Sequence, residues 1–374
     1  MKIVIFGGTF DPVHNEHVKL VKGALKELSP DKLIVLPAYV PPHKAGAVAS
    51  AEHRLKMAGI AFGFDPRIEV SDYEITRGGS SYTYLTARHY RERYPDAEIT
   101  LLIGGDSFYD FEGWVKPDVI AAECRIAVVS RGEFTERLMA RNAEFERLHG
   151  YRARILSFTG DITSSTYIRY CLMLGAGAGN LPGGVADYIA ENGLYEGDET
   201  IKYVSRQLKE KRLLHTAGVI ECALQLNRQL GLDRQKVITA CALHDVAKYQ
   251  KPSDYPDFKL DEDLPVSVVH AFLGEYVARN VLGVTDEEVL SAIRYHTTGR
   301  AGMTDLEKLV YTADLLERNR TYPGVEKLRK LTLADFEQGF CECIRQGYKH
   351  LKQMMMPGGV HYLTVEAYEY YSKL

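Results

Sequence analysis

Several features that mark whole classes of protein are scarce in this chain. Its 374 residues include six cysteines, at positions 124, 171, 222, 241, 341 and 343, and none forms a C-x-x-C pair. That excludes a disulfide framework and a thiolate zinc site, and reads as the reduced thiols of a cytoplasmic protein. No stretch approaches the ~18 uninterrupted apolar residues that a membrane helix needs, so no membrane partner is expected. The opening MKIVIFGGTF has one lysine and a short apolar run ending in glycines, the pattern of a first strand and not of a signal peptide. Positive charge is not in excess: 46 Lys and Arg face 50 Asp and Glu, for a net charge of −4. A global basic field for nucleic acid is therefore missing, and small anions must be captured by local features. Internal repeats and low-complexity segments are absent too. Self-association into a homo-oligomer is left open.

What is present is a soluble composition, 45% hydrophobic and 26% charged, in a chain long enough for two ordinary domains. In the first half, KIVIF, KLIVLP, RIEVSDYEI, EITLLIGG and CRIAVVS read as strands. VKLVKGALKEL, AEHRLKMAGIAF and YTYLTARHYRERY between them have helical spacing, and 132–153 reads as a surface helix between two strands. Strands alternating with helices imply βαβ units and a parallel sheet. From about Gly197 the texture becomes helical throughout, with apolar positions three and four apart. GDETIKYVSRQLKEKRLLHTAGVIECALQLNRQLG reads as continuous helix, and RQLKEKR (206–212) within it as a solvated face. The fold class expected is thus an α/β domain followed by an all-α domain, divided as 1–196 and 197–374.

The first chemical constellation runs from Gly7, Gly8, Thr9 and Phe10 through His14 to His17, directly after a strand and opening a helix. Glycines at such a turn let backbone N–H groups approach a phosphate, and the helix N-terminus adds positive partial charge. Two histidines three residues apart then point at the same anion and can stabilise charge on phosphoryl oxygens. Ser164, Ser165, Thr166 and Arg169 form a second polar turn entering a helix, where a hydroxyl can cap and the guanidinium suits a polyphosphate.

GGTFDPVHNEH paired with SSTYIR resembles the HxGH nucleotidyltransferases. VPPHK, EHRLKMA, SSYTYLTARHY, LIGGDSFYDFEGW, VSR and LPGGVADYIAENGLY narrow the resemblance to the nicotinate-mononucleotide adenylyltransferases over 1–195. It implies a Rossmann-like domain that transfers adenylyl from ATP, with Mg2+, to nicotinate mononucleotide, giving deamido-NAD and pyrophosphate. By the same resemblance His14 and His17 hold ATP phosphates with Lys44, Ser165 and Arg169, and Asp106 lies near the ribose. Thr86 and Trp114 line the pyridine-nucleotide pocket, and Arg131 belongs to the VSR motif. Glu16 stands where the family has glycine; its carboxylate is expected to face solvent.

The helical half carries His215, the doublet His244-Asp245, His270, His296 and Asp314, each in an apolar context. Six polar groups on apolar helix faces are costly unless paired or bound to metal. Their nitrogen and oxygen donors suit iron, manganese or cobalt. LLHTAGV, LHDVAK, AIRYHTTGR and YTADLLERNR resemble the HD phosphohydrolases, and within them the bacterial symmetrical diadenosine tetraphosphate hydrolases, over about 203–335. The resemblance implies an HD-type domain with two divalent or mixed-valence metals, iron foremost. His215, His244, Asp245 and Asp314 hold one, and His244 or Asp245 with His270 and His296 the other. Lys248, Arg300 and Arg318 are candidates for the polyphosphate. His350 and His361 fall outside the pattern. Two other functions stay open: a helical half that hydrolyses another nucleotide or senses one, and a different adenylyl acceptor.

Overall fold

The computed structural model describes every residue except 41–47, 131–135, 161–162, 261–263, 355–359 and 374. The chain forms two compact units, Met1–Arg169 with Gly177–Tyr195, and Tyr170–Ala176 with Glu196–Leu374. Tyr170–Ala176 thus groups with the helical unit, where Arg234 approaches the Tyr170 hydroxyl at 3.4 Å.

The first unit is built on a parallel sheet of β1 (Lys2–Gly8), β2 (Lys32–Pro37), β3 (Ile68–Val70), β4 (Glu98–Gly104), β5 (Arg125–Ser130) and β6 (Arg154–Thr159), in the order β3-β2-β1-β4-β5-β6. Buried Ile3, Val4, Ile5, Leu33, Ile34 and Val35 explain why β1 and β2 are apolar on both faces, as a strand covered on both sides must be. RIEVSDYEI is a strand only over Ile68–Val70; Tyr73–Arg77 is helical instead. Among the described residues β3 pairs with β2 alone, and their pairing ends at Val35 opposite Val70. Between β5 and β6 the helix Glu136–His149 buries Leu138 and Phe145. The strand order reverses between β1 and β4, and a crevice opens beyond the carboxyl ends of strands at such a point. The helices that matter for the site are α1 (Asn15–Leu28), α2 (Ala51–Phe62) and α3 (Ser165–Met173).

The second unit is helical among its described residues. After Glu199–Gln207 come α4 (Glu210–Leu230), α5 (Arg234–Leu243), α6 (Val266–Asn280), α7 (Glu287–Tyr295) and α8 (Asp305–Leu316). Val325–Ala334, Phe336–Gln353 and Tyr362–Tyr371 complete it. The helix read as continuous from 197 to 231 breaks at Leu208, whose backbone is extended (φ −108°, ψ 148°) and whose side chain is buried. No described helix is long and apolar enough to cross a membrane.

Candidate functional site

In the first unit a cleft of about 920 Å³ lies at the strand-order reversal, and Gly7, Gly8, Thr9, Phe10, His17, Thr86, Asp106, Trp114 and Ser165 all line it. Gly8 is required there: a Cβ on it would stand 2.9 Å from the Phe10 ring, closer than side-chain carbons pack. The ring of buried His14 stacks on His17 at 3.7 Å. His17 Nδ1 accepts the His14 backbone N–H at 3.2 Å, so neutral His17 carries its proton on Nε2 and is an N–H donor there. Phe10 packs edge-on against the same imidazole.

The second motif acts partly through a buried carboxylate that the sequence reading left without a role. Asp11 accepts from the Val48 and Ala49 amides at 2.9 and 3.1 Å and from the Tyr195 hydroxyl at 2.7 Å. Arg169 reaches Asp11 Oδ2 at 3.4 Å and is steadied by Thr166 Oγ1 at 3.1 Å. Ser165 donates to the Pro12 carbonyl at 3.1 Å, and Ser164 Oγ accepts the Tyr167 amide as a helix cap. α3 is thereby tied to the turn after β1. Buried Arg54, within the EHRLKMA motif, donates to the carbonyls of Thr9, Ala38, Tyr39 and Ala49; it organises backbone and does not line the cleft. Thr86 donates to Glu74 Oε1 at 2.6 Å. Burial pushes the Glu74 carboxyl up, against the opposing hydrogen bonds of Thr86 and Ser81.

Glu16 does not face solvent as expected. Its side chain is 15% exposed and lies 3.8 Å from Lys19 Nζ, and it is not among the residues lining the cleft. The i,i+3 geometry of α1 brings the lysine over it. Lys44 and Arg131 fall outside the described residues.

In the second unit the structure brings His215, His244, Asp245, His270, His296 and Asp314 together. Ligand atoms of His215, His244 and Asp245 lie within 4.8 Å of one another, and so do those of Asp245, His270 and His296. Asp245 belongs to both groups, and His215 Nε2 is 3.0 Å from Asp314 Oδ1. His244-Asp245 follows the end of α5 and His296 the end of α7; His215, His270 and Asp314 project from α4, α6 and α8. Lys248 Nζ lies 3.1 Å from His270 Nε2 and 3.5 Å from Asp245 Oδ1.

The donor set fits a metal centre on its hydrogen bonding. His244 Nδ1 is 2.6 Å from the Cys241 carbonyl, His296 Nδ1 is 2.8 Å from the Ile293 carbonyl, and His215 Nδ1 is 3.1 Å from Glu317 Oε1. Each acceptor holds the proton on Nδ1 and turns the Nε2 lone pair inward. Those Nε2 atoms then crowd: His215 and His244 meet at 3.3 Å, as do His270 and His296. Buried Asp245 Oδ1 has no hydrogen bond among the described residues, although His270 Nε2 comes within 3.1 Å. Lone pairs and a carboxylate facing one another at low dielectric call for a cation. Burial holds His244 below the usual imidazole range and His270 down to about 4, so both are neutral, as ligands must be.

Around the cluster, the two arginines expected to meet the polyphosphate, Arg300 and Arg318, do not line the pocket beside His215. Arg300 is held by both oxygens of buried Glu307, at 2.9 and 3.0 Å, and Arg318 by Glu221 at 3.1 Å. Arg212 and Arg320 instead line a pocket of about 760 Å³ together with His215. Arg212 comes from the run read as a solvated face; it donates to Asp245 Oδ2 at 2.7 Å. Glu317, which orients His215, was also missed, although it follows Asp314 by one helical turn. Gly218 makes room for it: a Cβ there would stand 2.4 Å from Glu317 Oε2.

Residues 5–170 match the Cytidylyltransferase-like family and residues 212–319 the HD domain family. A Mycoplasma genitalium protein named "Probable nicotinate-nucleotide adenylyltransferase/Ap4A hydrolase" is 29% identical over 351 residues, 91% of this chain and 95% of that one. A Bacillus subtilis "Bis(5'-nucleosyl)-tetraphosphatase, symmetrical" is 37% identical over 167 residues, 43% of this chain and 90% of the relative. A Neisseria meningitidis "Probable nicotinate-nucleotide adenylyltransferase" is 37% identical over 198 residues, 52% of this chain and 98% of the relative.

Proposed function

The chain belongs to the nicotinate-nucleotide adenylyltransferase family in its first half and to the HD family of symmetrical bis(5'-nucleosyl)-tetraphosphatases in its second, and from that premise we propose a bifunctional enzyme. Residues 1–196 transfer adenylyl from ATP to nicotinate mononucleotide, and residues 197–374 hydrolyse diadenosine tetraphosphate to two ADP. The observation that carries the reading is the pairing of two intact donor sets in one chain: the His14–His17 turn at the cleft, and six converging imidazoles and carboxylates in the helical unit.

In the first half a phosphate oxygen of nicotinate mononucleotide attacks the α-phosphorus of ATP, which arrives with Mg2+. The bond to the β-phosphate breaks and pyrophosphate leaves. His17 Nε2–H and the amides opening α1 stabilise the negative charge shared by the phosphoryl oxygens. Gly8 leaves room for the Phe10 ring that packs against His17, Asp106 is disposed toward the ribose, and Trp114 offers its ring to the pyridine base. Asp11 and Arg54 keep the turn in shape, so positioning and charge stabilisation supply the rate.

In the second half His215, His244, Asp245 and Asp314 would hold one ion and Asp245, His270 and His296 a second, with Asp245 shared. Imidazole and carboxylate donors suit iron first, then manganese or cobalt. The chemistry such ions supply is a water activated at neutral pH and relief of charge on the attacked phosphoryl group. Glu317 and the carbonyls of Cys241 and Ile293 hold three imidazoles in their ligating orientation, and Lys248 stands beside the cluster to meet a phosphate.

Product analysis tests both halves. With ATP and nicotinate mononucleotide the expected products are deamido-NAD and pyrophosphate; with diadenosine tetraphosphate and a divalent metal, ADP alone. ATP plus AMP from the second incubation would refute symmetrical cleavage, and no deamido-NAD from the first would refute the acceptor.

A further inference from the structure

Arg212 and Arg320 both line the pocket beside His215, one from the start of α4 and the other from the segment after α8. Each is anchored to a carboxylate of the metal cluster: Arg212 Nη1 lies 2.7 Å from Asp245 Oδ2 and Arg320 Nη2 lies 2.6 Å from Asp314 Oδ1. Arg320 is fixed further by Nε, which donates to the Asp314 main-chain carbonyl at 2.9 Å. These contacts use only part of each guanidinium. Nε and Nη2 of Arg212 and Nη1 of Arg320 have no hydrogen bond among the described residues. Both side chains keep access to solvent, at 26% and 35% exposure, so these donors are available to a ligand. Lys211 adds a third positive charge to the lining, while the one acidic lining residue, Glu317, is buried and engaged with His215 and Asn319.

A guanidinium is a planar fork whose geometry matches two phosphate oxygens, and anchoring by one edge leaves the other edge pre-oriented. Two forks that line one pocket, each anchored on a carboxylate of the cluster, define a site for a diphosphate adjacent to the reacting centre. We propose that Arg212 and Arg320 form a clamp for the diphosphate half of a nucleoside polyphosphate, occupying the pocket as substrate binds and retaining the nucleoside diphosphate that cleavage releases. The clamp rests on the hydrolase reading for its substrate, but not for its existence. Arg300 and Arg318 do not line this pocket.

The experiment is calorimetric titration of ADP and of AMP into the full chain, loaded with manganese, with deamido-NAD saturating the N-terminal cleft. Metal content is measured on every sample. Wild type should bind ADP at least ~10-fold more tightly than AMP, because only the diphosphate engages both forks; a tenfold ratio is the scale of one charge-assisted contact. In Arg212→Gln and in Arg320→Gln that ratio should fall below ~3-fold with metal content retained, and Arg212→Lys should recover part of it. A ratio unchanged in both glutamine variants overturns the clamp, as does a wild type that does not distinguish ADP from AMP. A ratio that falls only together with loss of manganese also overturns it, because the arginines would then act by holding the metal carboxylates. An arginine-dependent ADP preference in a protein that fails to cleave diadenosine tetraphosphate would leave the clamp standing and remove the hydrolase reading.

Discussion

Replacing Gly218 by alanine perturbs the metal centre without touching a ligand. The added carbon would stand 2.4 Å from Glu317 Oε2 and 3.3 Å from its Cδ. Contact distances between heavy atoms begin near ~3.5 Å, so the carboxylate has to retreat by roughly 1 Å. Glu317 Oε2 is also held by the Asn319 amide at 2.8 Å, and Oε1 lies 3.1 Å from His215 Nδ1. A displacement of that size takes the His215 contact beyond hydrogen-bond range. His215 then loses the acceptor that fixes its tautomer and ring orientation, a loss that costs ~10- to 100-fold in metal affinity or activity. Stability is a poor reporter here, since alanine in a helix interior is favoured over glycine by ~1 kcal/mol and offsets part of the steric cost. The assay is metal affinity by chelator competition, alongside diadenosine tetraphosphate hydrolysis, with adenylyl transfer as the internal control. In a Glu317→Ala background Gly218→Ala should add little, because both act on the same contact. Wild-type metal affinity in the Gly218→Ala protein would refute the positioning role of Glu317.

Three further outcomes follow from the geometry. His17→Ala removes the Nε2 donor at the cleft and should lower kcat/KM for adenylyl transfer ~10²-fold or more; a near-wild-type rate would remove His17 from the site. Asp245→Ala removes the residue common to both ligand groups and should abolish hydrolysis while leaving adenylyl transfer intact, as the two cores are separate; loss of both activities would contradict that separation. Glu74 is a carboxyl raised above its ordinary 4.5 by burial, so its favourable contribution is complete below that value and is lost as pH rises through the folded-state value. Glu74→Gln should therefore unfold at a higher temperature than wild type at about pH 8, with the margin shrinking toward about pH 4.5. Fluorescence of the single tryptophan, Trp114, reads the first unit alone, and a pH-independent margin would count against a buried ionised carboxylate.

Much of this protein was legible in its residues because the relevant signals are local. A strand buried on both faces has to be apolar along its length, so β1, β2 and β4 announced themselves. A glycine pair followed by His14 and His17 stood out because a strand–turn–helix leaves amides unpaired there, and Gly7, Gly8 and His17 line the cleft. Histidines and aspartates at regular intervals in apolar helices marked a metal centre, since burying them singly is too costly. What the chain could not reveal were contacts between segments distant in sequence. That Asp245 is shared by the two ligand groups, that Glu317 reaches back 102 residues to His215, and that Arg212 leaves a charged run to meet Asp245 depend on how α4, α5 and α8 pack. Charge runs read as solvated because most are, and only packing reveals which member turns inward. The same holds for Asp11, which gathers Val48, Ala49, Arg169 and Tyr195. Local periodicity determines which faces are buried; which polar atoms then find one another across the core is decided by tertiary structure, because a hydrogen bond forms only where two segments are brought within about 3 Å.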